Sequence, residues 1–119
     1  MKKVLIVEDN EKNMYLIRFI LEKNGYEVIE AKNGEEGVEL AIKEKPHLVL
    51  MDIQLPDLDG LEATRKIRES EADGEIPIIA LTSFAMTGDK EKALAAGCTS
   101  YIEKPINTET FIAEIEKYL

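Results

Sequence analysis

The sequence predicts a doubly wound α/β domain: a five-stranded parallel sheet built from five strand–helix units, (βα)5. Short apolar runs alternate along the chain with longer amphipathic segments, which is the pattern of strands that are each followed by a helix. The apolar runs also lack the alternation of buried and exposed residues that marks a sheet with one face in water. We therefore expect helices on both faces of the sheet.

The first strand–helix unit starts with the apolar run Val4–Val7. Asn10 is of a residue type that caps helices, and the segment after it carries an apolar stripe that includes Ile17. Gly25 ends this helix, and Tyr26–Glu30 is the second strand.

The later elements follow from the same signals. Asn33 begins a helix that Pro46 stops, and Leu48–Met51 is a third apolar strand that ends at Asp52. A loop rich in Pro, Asp and Gly then leads into a helix over Leu61–Arg68. The remaining elements, in chain order, are strand Ile76–Leu81, helix Thr87–Ala96 closed by Gly97, strand Ser100–Ile102 and a last helix capped by Asn107 or Thr108.

Length and composition limit the classes of function. The 119 residues suit one domain, so residues 1–119 are expected to form a single domain with no output domain. Fifteen Lys and Arg against 24 Asp and Glu give a net charge of -9, which disfavours direct nucleic-acid binding. No apolar run is long enough to span a membrane, and Met1-Lys2-Lys3 leads directly into a strand-like run rather than a signal-peptide core, so we expect a cytoplasmic protein. The only cysteine, Cys98, allows no internal disulfide and is expected to be a small buried residue.

Polar residues collect where the predicted strands end. In a parallel sheet these ends lie at one edge, which is where open α/β sheets bind ligands. Three carboxylates gathered there would repel one another unless a cation compensated them, and oxygen ligands without His or Cys favour Mg²⁺, for which Mn²⁺ could substitute. A hydroxyl and an ammonium nearby suit a phosphoryl group, with Asp52 of the middle strand as nucleophile. The cluster consists of Glu8, Asp9, Asp52, Thr82, Ser83 and Lys104.

Four segments together resemble the receiver domains of two-component response regulators, and the likeness runs over the whole chain. The closest character is that of stand-alone receivers of the DivK type and of receivers in hybrid kinases. The resemblance implies the flavodoxin-like strand order 2-1-3-4-5. The segments are Val7–Asn10, Met51–Gly60, Leu81–Ser83 and Tyr101–Pro105.

The resemblance also implies the roles of the acidic residues. Asp52 would accept the phosphoryl group and ligate magnesium. Asp9 would bind the metal directly, Glu8 would act mostly through water, and Gln54 would add its backbone carbonyl.

The remaining motif residues would bind phosphate and change position on activation. Thr82, with Ser83 beside it, would hydrogen-bond the phosphoryl group, and Lys104 would pair with another of its oxygens. Tyr101 would be the aromatic residue of the switch. The Lys104–Pro105 bond is cis in many relatives, so we expect it to be cis here.

The implied partners are proteins. The donor would be a sensor histidine kinase or a histidine phosphotransfer protein, and a downstream protein effector would read the switch. The expected docking surface consists of Met14, Ile17, Pro105 and Ile106, whereas His47 precedes a buried strand and is not expected to be a site. The domain would catalyse only its own phosphorylation and dephosphorylation and would not otherwise be an enzyme. Phe84 is expected to slow the dephosphorylation.

Alternative interpretations remain at this point. Each acid, taken singly, is an ordinary turn or helix-start residue. A phosphatase of the haloacid dehalogenase class also phosphorylates an Asp, but it expects Asp-x-Asp after the first strand, where this chain has Glu8-Asp9-Asn10. A flavin-binding module would need a phosphate-cradling loop at that place. A degenerate receiver that serves only as a docking platform is the third alternative.

Overall fold

The strands form one parallel sheet in the order β2-β1-β3-β4-β5. A computed structural model describes residues 1–70, 76–83 and 89–119, and within these ranges the predicted (βα)5 fold and the flavodoxin-like strand order are confirmed. The elements are β1 (Lys3–Val7), α1 (Glu11–Lys23), β2 (Glu27–Ala31), α2 (Gly34–Glu44), β3 (Leu48–Asp52), α3 (Gly60–Ser70), β4 (Ile78–Thr82), α4 (Asp89–Ala96), β5 (Ser100–Glu103) and α5 (Phe111–Glu116).

Two of the predicted caps are confirmed by their hydrogen bonds. The side-chain oxygen of Asn10 accepts from the backbone N–H of Asn13 at 3.0 Å, and that of Asn33 accepts from Glu36 at 2.8 Å. Each bond satisfies a donor that the first turn of a helix leaves unpaired. α2 ends as predicted before the proline, through Lys45 in the left-handed region at φ 46°.

The predicted start of the last helix is wrong. α5 begins at Phe111 rather than after Asn107 or Thr108: residues 108–110 form a turn that leads into the helix from Asn107. The side-chain oxygen of Asn107 accepts from Glu109 N–H at 3.0 Å, and its carbonyl accepts from Phe111 N–H at 3.0 Å. Thr110 occupies the cap position without a side-chain bond.

Strand bounds differ from the prediction by one or two residues. β4 starts at Ile78 rather than Ile76, since Pro77 has no N–H to donate to the ladder. β2 runs one residue further on, to Ala31, which pairs with Val7. The predicted start of α4 at Thr87 falls outside the described residues.

Among the described residues, the sheet separates two buried apolar clusters. Neighbouring residues of β1 alternate between them: Ile6 packs under α1 and α5, and Leu5 packs under α2, α3 and α4. The two faces are therefore both covered, as a doubly wound sheet requires.

Two minor predictions concern Cys98 and His47. Cys98 is buried, as expected. His47 lies at the start of β3, where its Nδ1 accepts from the Lys3 N–H at 2.9 Å, at the end of the sheet away from the acids. None of the helices in the described ranges has the length and apolar character to cross a membrane.

Candidate functional site

Four parallel strands bring the predicted polar residues to one edge of the sheet. Glu8 follows β1, Asp52 ends β3, Thr82 ends β4 and Lys104 follows β5. Because β1, β3, β4 and β5 are adjacent and in register, residues far apart in the chain become neighbours at their carboxyl ends.

The acids form a compact group of oxygen ligands. One carboxylate oxygen from each of Glu8, Asp9 and Asp52 lies within 4.8 Å of the other two. Glu8 and Asp52 are buried, at 1% and 4% exposure, whereas Asp9 is exposed. A donor set made only of carboxylate oxygens, open to solvent on one side, fits a hard divalent cation such as Mg²⁺ that keeps several waters.

Lys104 supplies the positive charge of the pocket. Its Nζ lies 2.8 Å from Glu8 Oε1 and 3.1 Å from Asp52 Oδ2. Burial alone would lower the pKa of this ammonium, but the hydrogen bonds and charges of Glu8 and Asp52 outweigh burial and raise it. Lys104 is thus held in its charged form.

Glu8 is the most perturbed acid. Its pKa is raised to about 7, chiefly by burial and further by the hydrogen bond and charge of Asp52, while the hydrogen bond and charge of Lys104 oppose the rise. The second carboxylate oxygen of Glu8 also accepts from Asn10 N–H at 3.2 Å. With both oxygens engaged inside the protein, Glu8 differs from the exposed Asp9.

The loop between β3 and α3 returns to the strand that it leaves. Gln54 N–H donates to Asp52 Oδ1 at 3.0 Å, and Gly60 N–H donates to the Ile53 carbonyl at 2.9 Å. A Cβ on Gly60 would lie 2.1 Å from the Asp52 carbonyl oxygen, so only glycine fits this close approach. The loop is closed tightly at its base.

The predicted switch residues lie on β4 and β5. Thr82 is buried, with its carbonyl accepting from Lys104 N–H at 2.7 Å, and Ser83 beside it is exposed. Tyr101 is half-buried, and the ammonium of Lys90 on α4 lies 5.2 Å from the centre of its ring. Phe84 lies outside the described residues.

The peptide bond between Lys104 and Pro105 is cis, as the resemblance implied.

The predicted docking surface needs a correction. Met14 is 6% exposed and Ile17 is fully buried, because the inner side of α1 carries both into the cluster beneath it. Neither can meet a partner on the surface. Pro105 is exposed and Ile106 is half-buried, so these two stay available.

The exposed apolar residues of α1 are Tyr15 and Phe19. Their rings stack with centroids 6.3 Å apart, and the Arg18 guanidinium lies 5.8 Å from the Tyr15 ring. Arg18 also bonds Glu30 of β2 at 2.8 Å, so this aromatic pair lies toward the β2 edge of the sheet.

Sequence reasoning missed one contact made by the loop after β3. Asp57, predicted only as a residue of the loop after β3, accepts from the backbone N–H groups of Gly34 and Glu35 at 2.8 and 3.1 Å. Those residues start α2, and no local signal in the sequence joins them to Asp57.

Known proteins are similar to this chain in sequence and in fold. The profile of the response regulator receiver domain matches residues 4–116. The polar-differentiation response regulator DivK of Brucella anthropi is 49% identical over 118 residues, which cover 99% of this chain and 96% of the relative.

Two solved structures are informative neighbours. The receiver domain of sensor histidine kinase PA1611 from Pseudomonas aeruginosa PAO1, with a magnesium ion coordinated in its active-site cleft, has a TM-score of 0.91 and 38% identity, and the match covers 98% of this chain and 96% of that one. A chain from the co-crystal structure of the Saccharomyces cerevisiae histidine phosphotransfer protein Ypd1 with the receiver domain of the response regulator Ssk1 gives a TM-score of 0.89 and 36% identity, covering 98% and 88%.

The fold, the acidic pocket and the matched profile define a regulatory domain of two-component signalling. The chain belongs to the response regulator receiver domain family, whose profile spans nearly all of it. Membership of this family decides against the phosphatase and flavin-binding alternatives.

Proposed function

We propose that this receiver domain accepts a phosphoryl group on Asp52. The observation that carries the proposal is the position of this buried carboxylate, which shares a pocket with two further acids and has the Lys104 ammonium 3.1 Å from its Oδ2. A carboxylate at the end of a middle strand, beside a fixed cation, is suited to attack a phosphorus atom and to tolerate the charge that develops there.

The proposed ligands of Mg²⁺ are Asp9, Asp52 and the backbone carbonyl of Gln54. Mn²⁺ would substitute for Mg²⁺ at the same site. Glu8 would contribute through water. The clustering of the acid oxygens within 4.8 Å supports this assignment. The metal, when bound, neutralises oxygens of the incoming phosphoryl group. Glu8 suits the indirect role because Lys104 and the Asn10 N–H already occupy its oxygens.

The transfer step needs no other covalent group of the protein. An oxygen of Asp52 forms the bond to phosphorus as the phosphorus–nitrogen bond of a phosphohistidine breaks, and the electron pair of that bond returns to the imidazole nitrogen. Lys104 stabilises one phosphoryl oxygen and the Thr82 hydroxyl donates to another. The residues of the receiver thus supply the orientation and the charge.

The new phosphoaspartate would act by shifting a conformational equilibrium. Thr82 and Ser83 would move toward the phosphoryl group, and Tyr101 would fill the space that Thr82 leaves. Moving such an equilibrium from mostly inactive to mostly active takes about 5 kcal/mol of differential stabilisation. A few charge-assisted hydrogen bonds supply energy of this order.

The proposed partners are a sensor histidine kinase or histidine phosphotransfer protein as the donor and a downstream protein as the reader. Pro105 and Ile106 follow Lys104 directly in the chain and are the proposed donor contacts. Apart from its own phosphorylation and dephosphorylation, the domain is proposed to catalyse no reaction. We propose that it acts in the cytoplasm.

A matched pair of variants tests the acceptor. Incubation with acetyl phosphate and Mg²⁺ should add a phosphoryl group to the wild-type protein and to Asp59→Asn, but not to Asp52→Asn, as measured by intact mass. Asp59 lies in the same loop and caps α3 by accepting from Glu62 N–H at 2.9 Å. Its change to Asn removes the same charge and keeps a capping residue type.

A normal yield of adduct on Asp52→Asn would move the acceptor to another residue. Equal loss in both variants would mean that loop charge, rather than the Asp52 oxygen, governs the reaction. The absence of an adduct on the wild-type protein would favour the degenerate docking platform.

A further inference from the structure

The loop between β3 and α3 is tied to α2 by the carboxylate of Asp57. Oδ1 accepts from Gly34 N–H at 2.8 Å, and Oδ2 accepts from Glu35 N–H at 3.1 Å. Both donors belong to the first turn of α2, whose N–H groups have no partner inside the helix. Each oxygen of Asp57 therefore has a hydrogen-bond donor in α2.

Packing around this contact leaves little freedom. Gly34 is buried, and a Cβ on it would lie 2.3 Å from the Leu58 carbonyl oxygen, so the loop backbone touches the start of the helix. Leu58 also packs against the cluster beneath α2 and α3. Desolvation would raise the pKa of Asp57, but the N–H groups of Gly34, Leu58 and Glu35 outweigh it and lower the pKa, which keeps the residue an acceptor.

The contact fixes the far end of the loop that carries Gln54. The start of the loop is held by two hydrogen bonds. Gln54 N–H donates to Asp52 Oδ1, and Gly60 N–H donates to the Ile53 carbonyl. Asp57 adds an attachment on the other side of Gln54 in the chain. When the backbone on both sides of a carbonyl ligand is already fixed, less conformational entropy is lost as the carbonyl binds a metal.

We propose that Asp57 is a positioning residue for the metal site: by capping α2 from within the loop, it holds the Gln54 carbonyl where a divalent cation on Asp9 and Asp52 can use it. The inference rests on the proposed function. Since coupling between two sites is reciprocal, metal binding also strengthens the contact between Asp57 and the start of α2.

Asp57→Ala and Asn33→Ala form the matched pair for a test. Asn33 caps the same helix by accepting from Glu36 N–H at 2.8 Å and has no hydrogen bond to the loop among those of the described residues. Both variants lose a cap of α2, and both should melt at a lower temperature than the wild-type protein. Only Asp57→Ala releases the loop.

The measurement is a Mg²⁺ titration followed through the amide resonance of Gln54, with calorimetry as a second readout. Asp57→Ala should bind Mg²⁺ about tenfold more weakly, at the lower end of the range for residues that orient metal ligands, and Asn33→Ala should bind it as the wild-type protein does. Asp57→Asn keeps one acceptor oxygen and should fall between the two. In the wild-type protein and not in Asp57→Ala, Mg²⁺ should slow hydrogen exchange of the Glu35 amide.

Equal Mg²⁺ affinities of Asp57→Ala and Asn33→Ala would overturn the inference, because the helix cap alone would then account for both. If Asp57→Ala does not fold, a wild-type affinity in Asp57→Asn would overturn it equally. A wild-type protein that shows no Mg²⁺ response at Gln54 would overturn the proposed metal site itself, a result obtained before any variant is compared.

Discussion

The ammonium of Lys104 lies 3.1 Å from Asp52 Oδ2, although β4 separates the strands that carry the two residues. The same ammonium lies 2.8 Å from Glu8 Oε1, beyond Asp52 in the sheet. One cation is therefore shared by two buried carboxylates that would otherwise face each other unscreened. In the absence of metal, it is their main counter-charge in the part of the pocket that the structure describes.

Lys104→Met should destabilise the metal-free protein, because it leaves the buried Asp52 carboxylate without its cation and removes the group that opposes the raised pKa of Glu8. We expect the free energy of unfolding to fall by about 3 kcal/mol, as for a broken buried ion pair. Urea denaturation at neutral pH without metal measures it, and the exposed Lys12→Met is the control. Added Mg²⁺ should restore part of the loss, and a variant as stable as the control would show that the pair contributes little.

Ile17→Ala should lower the free energy of unfolding substantially and Phe19→Ala should change it little, although the two residues are close neighbours on α1. Ile17 is fully buried, whereas Phe19 is 53% exposed. Truncating a buried isoleucine costs about 2 to 5 kcal/mol through lost apolar contact and the cavity that remains. Thermal or urea denaturation of both variants checks the difference. Similar losses would contradict the placement of Ile17 inside the domain.

Gly60→Ala should displace the end of β3. The added Cβ would lie 2.1 Å from the Asp52 carbonyl oxygen and 2.7 Å from Ile53 Cα, both of them backbone atoms. The loop must shift, and we expect a loss of roughly 3 kcal/mol in unfolding free energy together with slower phosphorylation by acetyl phosphate.

Gly25→Ala is the control for that substitution. Gly25 has a φ of 86° and open space around it, so alanine there meets only the cost of the left-handed conformation, about 1 to 2 kcal/mol. Its phosphorylation rate should equal that of the wild-type protein. If Gly60→Ala reacted equally fast, the close approach would have no bearing on Asp52.

Tyr26 should make stability depend on pH in the alkaline range. Its hydroxyl donates to Glu116 Oε2 at 2.6 Å, and this bond, helped by burial, raises its pKa from 10.0 to about 12. Between these two values the unfolded chain releases the proton while the folded protein keeps it. The contribution is therefore fully present below pH 10 and is lost as pH rises toward 12.

The pH effect is measured as the difference between the wild-type protein and Tyr26→Phe, because the other tyrosines titrate in both. The free energy of unfolding of the wild-type protein should fall more steeply between pH 10 and 12 than that of the variant. Glu116→Gln should reduce the steepness as well. Parallel curves for the wild-type protein and Tyr26→Phe would contradict the raised pKa.

The strand ends were predictable because of the geometry of parallel sheets. Continuous apolar runs such as Leu48–Val49–Leu50 leave no choice of face, and the polar residue that follows each run must lie at the carboxyl edge. Hence the sequence placed Glu8, Asp52 and Thr82 at one edge, which the fold confirms. Their chemical roles stay predictions.

The inner face of α1 was not predictable to the same degree. Its middle reads Met-Tyr-Leu-Ile-Arg-Phe-Ile-Leu, with apolar residues around most of the helix. A pattern of this kind does not say which apolar residues turn inward, so Met14 was misplaced on the surface while Tyr15 and Phe19 form the exposed pair. The rotation of the helix is set by the sheet beneath it.

The contact between the loop after β3 and the start of α2 was not predictable from the sequence. Asp57 and Gly34 are 23 residues apart, and their hydrogen bond depends on how the loop after β3 meets the start of α2. Local signals describe caps within one turn, as at Asn33, but not a cap donated by another loop.

The sheet divides the apolar interior into two clusters, and this division affects which parts of the sequence can change independently in evolution. α1 and α5 pack on one face, and α2 and α3, which flank the loop that carries Gln54, pack on the other. Substitutions that lie more than about 7 to 10 Å apart and share no partners have nearly additive effects on the free energy of unfolding. Residues of α1 and α5 can therefore change in evolution, for example to suit a new binding partner, without altering the contacts that hold the loop after β3 in place.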